Sequence, residues 1–315
     1  MVTGHRSSRL QPVCFAPWPF IFFALIACML LPSCKPAAPD YDLYENMGAY
    51  MKDKLVASGA TVRTNMPAKF APGVTYIKEL GLLSLIFGSP QLQVYLQSYE
   101  SARIAVGSIS QFEAPPGSGS YTDCAFVVRP AANIAGPIMH GDARAAMAGS
   151  GEKFAMDFYT YDSDTISLNE FFGPGQIAKI NQAMDLVAKY QIPAPPAGDR
   201  GNLTKYLNDY KSAYRLELAA PKDNETARKA YADAALQAFK LYQDAYFEAL
   251  AAVKADTDSA VVQGRKDATD AFINLFEAND TAVSLGRLLF GAEDFPLYFN
   301  EGFWREGYYG QGIVP

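Results

Sequence analysis

A chain of 315 residues that is half apolar and 13% aromatic can bury a sizeable core, and its composition is not that of a disordered protein. The formal charge of −6 argues against a broad basic surface for nucleic acid. Beyond residue 34 the chain keeps one histidine, His140, and one cysteine, Cys124, which excludes a multi-histidine metal site, an intrachain disulfide and a zinc or iron–sulfur cluster in the body.

Residues 1–39 contain no Asp or Glu. Arg6 and Arg9 precede an apolar run from Pro19 to Leu31, the layout of a secretory signal and short for a membrane span. The run ends in Leu31-Pro32-Ser33-Cys34, which resembles a bacterial lipobox with Cys34 as the lipid-bearing residue. The acid-free, Arg- and Ser-containing start fits equally a leader for a plastid reached through the secretory route. An uncleaved N-terminal anchor is the third reading. Targeting by residues 1–34 is expected under the first two, and contact with a membrane only through this segment.

Residues 35–73 read as a linker and one helix, punctuated by Pro36, Pro39, Pro67 and Pro72. From Val94 the residues turn β-branched and aromatic with partial alternation, which predicts strands. Pro115 to Ser120 is a turn, Asp123 to Arg129 a returning strand, and Pro130 to Gly136 another turn. Strands are predicted again over Ile138–Met147 and Lys153–Tyr159, with Phe154, Met156 and Phe158 on one face and Ala155, Asp157 and Tyr159 on the other. Short turns make antiparallel neighbours.

After Gly175 the period becomes helical, with Ile177, Ile180, Met184 and Val187 on one face. A long helix is predicted from about Asn224 to Lys254, striped by Tyr231, Ala235, Ala238, Tyr242, Ala245, Ala249 and Ala252. Shorter helices are expected over Asp267–Phe276 and Thr281–Phe290, ahead of an aromatic, glycine-rich ending. Strands followed by helices give an α+β class: an α/β/α sandwich with a central, mainly antiparallel sheet flanked by helices, in one domain.

Three segments carry candidate chemistry. Tyr99-Glu100-Ser101 enters one strand. Asp123 to Pro130 is followed by Pro137-Ile138-Met139-His140-Gly141-Asp142. Asn279-Asp280 precedes Leu285, Phe290-Gly291 and Tyr298. This order resembles the ferredoxin-dependent bilin reductases, which reduce biliverdin to phycobilins and phytochromobilin, and covers about residues 90 to 310. The resemblance implies a bilin reductase-like domain over residues 74–315, a biliverdin-like substrate, reduced ferredoxin as external electron donor, and no permanently bound cofactor. It implies Asp142, Asp280 and Asp123 as proton donors. The Arg129-Pro130 pair selects Asp123, and counting back from Asp142 selects Ala125. His140, Met139 and Asn279 would line the substrate, with His140 standing where the family has a small residue. Acids suit such a reaction, because a conjugated tetrapyrrole takes up electrons only as protons neutralise the charge, and a buried carboxyl with a raised pKa can supply them.

Each residue also has a plainer reading. Asp142 could cap the bend at Gly141, His140 could be an ordinary strand histidine, and Asp123 a strand-edge charge. Asn279 and Asp280 could cap a helix. Asp157, Asp162 and Asp164 read as solvent-facing. The competing function is an exported or lipid-anchored, non-catalytic tetrapyrrole-binding relative; a third is a structural surface lipoprotein.

Overall fold

The computed structural model describes residues 43–84, 90–113, 122–144, 152–162, 166–193, 210, 212–221, 224–279 and 281–305. The leader with Cys34, and Asp280, lie outside them. No helix among the described residues is long and apolar enough to cross a membrane.

An eight-stranded sheet forms the middle layer, and every adjacent pair in it is antiparallel. Its strands are β1 (Thr61–Val62), β2 (Thr75–Glu79), β3 (Gln91–Glu100), β4 (Ile104–Glu113), β5 (Thr122–Pro130), β6 (Ile138–Arg144), β7 (Lys153–Tyr159) and β8 (Leu216–Ala219). From β3 to β8 they lie in chain order, while β1 and β2 share the free side of β3. Residues Ile104–Ser110 of β4 are all buried, as expected of a central strand covered on both faces.

One face packs beneath α1 (Leu43–Ala57), α3 (Pro174–Val187) and α4 (Glu225–Ala252); the short α2 spans Leu168–Phe171. Pro174 opens α3, and the Asn224 side chain caps α4 by accepting from the Ala227 N–H at 3.2 Å. The stripe predicted for α4 is buried except at Ala252, and Phe158 stacks on Tyr242 and Tyr246 at 5.3 and 5.9 Å. Within this layer Gln243 is fully buried, and neither amide atom has a hydrogen-bond partner among the described residues. An unsatisfied buried amide costs about 1–3 kcal/mol, so Gln243→Leu should raise unfolding stability by about that amount in urea titrations. A loss of stability would show that the amide is satisfied in solution.

The other face packs beneath α5 (Ser259–Asn279), α6 (Thr281–Pro296) and a π-helical turn, Leu297–Phe303. Gly291, at φ 79°, breaks the helical path inside α6, a conformation open to glycine and costly for other residues. The helix expected over Asp267–Phe276 begins earlier, because Asp258 caps it by accepting from the Ala260 N–H at 2.8 Å.

Strands β1, β2 and β8 depart from the sequence reading. They are two, five and four residues long, and β1 falls in the stretch read as linker and helix. Segments so short carry almost no periodicity, and their partners in the sheet define them.

Candidate functional site

Strands β5, β6 and β7 place the candidate residues through their register. Asp142 lies opposite Ala125 on β5 and Ala155 on β7. Asp123 lies one step along, opposite Arg144. The two competing matches for the β5 position thus both sit beside Asp142: Ala125 directly across, Asp123 on the diagonal, where side chains of one face remain neighbours. His140 lies opposite Val127 and Asp157.

Alternation along the strands sends Ile138, His140, Asp142, Ala125, Val127 and Asp123 to the face covered by α5, α6 and the π-helical turn. It sends Met139 to the opposite face, fully buried beneath α4. Met139 therefore does not share the site expected of it, because its neighbours His140 and Ile138 hold the other side of the strand. Asn279 is the last residue of α5, and its side chain lies outside the described set, as does all of Asp280.

Burial raises the pKa of Asp142, and Glu217 adds to the rise; Arg144, Lys153 and Arg215 oppose it. Arg144 Nε stands 3.3 Å from Asp142 Oδ2, and the Asp142 side chain keeps 26% of its surface exposed. The result is an acid that holds its proton to higher pH than a free aspartate while retaining a route to solvent. Asp123 is 8% exposed.

Aromatic rings close around His140. Trp304 stacks on it at 5.4 Å and 24°, Phe276 meets it edge-on at 5.2 Å, and Tyr159 and Phe303 lie at 6.1 and 6.5 Å. Burial lowers its pKa to about 4, so the ring is neutral near pH 7.

Asp157, read from the sequence as solvent-facing, is instead 2% exposed. It accepts from the Phe158 N–H at 2.7 Å, the Ser212 N–H at 3.2 Å and the Ser212 hydroxyl at 2.5 Å. The missing signal was the turn around Ser212 ahead of β8, which covers it. Burial raises its pKa to about 6 despite those donors.

His140 and Asp157 respond to acid in opposite senses. With His140 at about 4, below its unfolded value of about 6.5, the folded chain binds fewer protons there and loses stability as pH falls between the two. With Asp157 at about 6, above its unfolded value of about 3.9, the folded chain binds more protons and gains stability over much the same descent. Asp157→Asn removes the gain, so the variant's melting temperature should fall more steeply than the wild type's from about pH 6.5 to about pH 5, and His140→Gln should tilt the other way. Parallel slopes for all three proteins would contradict these pKa assignments.

Polar residues that the sequence reading passed over complete this face. Ser108 donates to Ser98 at 2.9 Å, and Tyr298 donates to Ser110 at 2.8 Å. Arg63 and Arg129, both nearly fully buried, reach main-chain carbonyls of residues 301–305. Ser108 and Ser110, alternating with Gly107 and Ile109 in a strand buried on both faces, were the available sign.

No protein-family model matches this chain, and no curated protein is similar to it in sequence. The architecture is an α+β sandwich with a mostly antiparallel open sheet. Among solved structures it is similar to phytochromobilin synthase from tomato in complex with biliverdin, with a TM-score of 0.61 and 12% identity over 84% of this chain and 83% of that one.

Proposed function

We propose that this chain binds a biliverdin-type linear tetrapyrrole against the helix-covered polar face of its sheet and reduces it with electrons from ferredoxin. The observation that carries the reading is Asp142: an acid of raised pKa on the face that also holds Asp123 and His140, in a fold similar to that of a biliverdin-bound synthase.

Reduction of one carbon–carbon double bond adds two electrons and two protons. Ferredoxin delivers electrons singly, so the pigment gains negative charge at each step until a proton arrives. Asp142 supplies a proton and recovers one from solvent through its exposed edge. In this reading Asp123 supplies or relays the other, with Asp280 as the candidate that the sequence resemblance adds. Acids that interact share macroscopic pKa values, so a rate that depends on more than one of them follows the group and not a single residue. Neutral His140 offers a ring and a hydrogen-bonding nitrogen without adding charge. The positive groups around Asp142, namely Arg144, Lys153 and Arg215, suit both pigment carboxylates and an acidic electron donor.

A second reading, a non-catalytic tetrapyrrole binder exported or anchored through residues 1–34, draws on His140. A bulky ring stands where the resemblance expects a small residue, and it is packed under Trp304 and Phe276. The leader divides the two readings as well: plastid import would bring the protein to ferredoxin, and a lipidated Cys34 would keep it away. Anaerobic addition of photoreduced ferredoxin to the purified biliverdin complex separates them. The reductase reading expects the pigment's visible bands to change and a reduced bilin to form. A bound spectrum that stays constant under reductant leaves only the binder.

A further inference from the structure

The last described stretch, Leu297–Arg305, crosses the candidate face as a strap. Residues Leu297–Phe303 of it form a π-helical turn, a form rarer than the α-helix and enriched at functional sites. Buried arginines grip its end through main-chain carbonyls. Arg63 donates to the carbonyls of Glu301 and Gly302 at 3.0 and 3.2 Å, and Arg129 to those of Trp304 and Arg305 at 3.2 and 2.6 Å. Arg305 pairs with Glu100 and takes a φ of 51°, the left-handed region that favours glycine. The strap lies close against the sheet: a Cβ on Gly302 would stand 2.6 Å from Leu96 Cδ2.

At the strap's tip Trp304, 1% exposed, lays its indole over His140 and packs on Phe276 at 5.1 Å. His140 and Asp142 are two residues apart on one strand face, so the indole occupies ground about 7 Å from the acid, by the rise of a β-strand. A flat conjugated ligand close enough to take a proton from Asp142 would claim the same aromatic slot.

We infer that Leu297–Arg305 is a displaceable plug, with Trp304 holding the stacking position over His140 until a planar pigment takes it. This rests on the tetrapyrrole reading. Binding then trades one aromatic stack for another and releases the strained Arg305 backbone. Only the fraction of molecules with the strap lifted binds, which lowers the apparent affinity and slows association.

The test uses the full chain and biliverdin. Stopped-flow absorbance gives the association rate for wild type, Trp304→Ala and Arg129→Gln, and hydrogen exchange follows the peptide spanning 297–305 with and without pigment. Circular dichroism establishes that each variant is folded, and the milder Trp304→Phe replaces any that is not. The expected results are association at least about tenfold faster in the variants, as a tenfold rise in the open fraction requires, and faster exchange of the strap in the complex. A wild type that binds too weakly to detect beside variants that bind supports the plug equally. Equal rates with unchanged strap exchange overturn the plug and leave the tetrapyrrole reading standing. No spectral change in any of the proteins overturns both.

Discussion

Gly141→Ala should unfold the chain more readily than any other single methyl addition to the candidate site. A Cβ at this position would lie 2.5 Å from the Ala155 carbonyl oxygen, 2.5 Å from Phe126 Cζ and 3.1 Å from Met156 Cα. The Phe126 ring could tilt away, but the carbonyl belongs to β7 and is fixed by its ladder with β6. Relief therefore requires parting the two strands at the point where His140 and Asp142 flank the glycine. Overpacking against backbone in a closed core costs about 3 kcal/mol. Urea titration should show that loss, with biliverdin binding impaired in the protein that remains folded. Gly175→Ala is the natural control, because nothing lies within 4 Å of the Cβ it would add. Being inside α3, that change should be neutral or slightly stabilising. Equal behaviour of the two variants would mean that β6 and β7 are not as closely spaced as described.

Asp142→Asn should lower the rate of pigment reduction by about 10²–10⁴-fold, the range associated with loss of a positioned proton donor. The amide keeps the size and much of the hydrogen bonding of the acid, so pigment binding should persist. The pH profile separates a proton donor from a residue that merely supports the site. Burial raises the Asp142 pKa, so the wild-type rate should fall as pH rises through that value and the donor loses its proton. The residual rate of the variant should lack this limb. A variant that kept the wild-type profile at a reduced rate would reassign Asp142 to positioning, and one with unchanged rate would remove it from the reaction.

Much of the fold was legible because long elements write their period into the sequence. Lys153–Tyr159 was readable to the residue, since Phe154, Met156 and Phe158 alternate with residues suited to a different surface. The α4 stripe was readable because tyrosines and alanines recur at helical steps over 28 residues. Short β1, β2 and β8 were not, since two to five residues carry no period. Among the site residues, Asp142, Asp123 and His140 do share one face, and strand alternation could have excluded Met139 from the outset. The burial of Asp157 depends on Ser212, 55 residues away, and the enclosure of His140 depends on Trp304, more distant still. Contacts between such remote segments leave no local pattern.

The proposed function requires a pigment site on the α5–α6 side of the sheet, beside Asp142. The most direct measurement is an absorbance titration of biliverdin into wild type, Ala125→Phe and Ala49→Phe. Ala125 lies directly across from Asp142, so a phenyl ring there fills the proposed site. Ala49 lines a groove of about 400 Å³ beneath α1 on the opposite face, so a ring there leaves the site untouched. The expected result is saturable binding with a shifted visible band in wild type and Ala49→Phe, and its loss in a folded Ala125→Phe. Binding that survives Ala125→Phe and is abolished by Ala49→Phe would put the pigment on the α1 side of the sheet and overturn the proposed site.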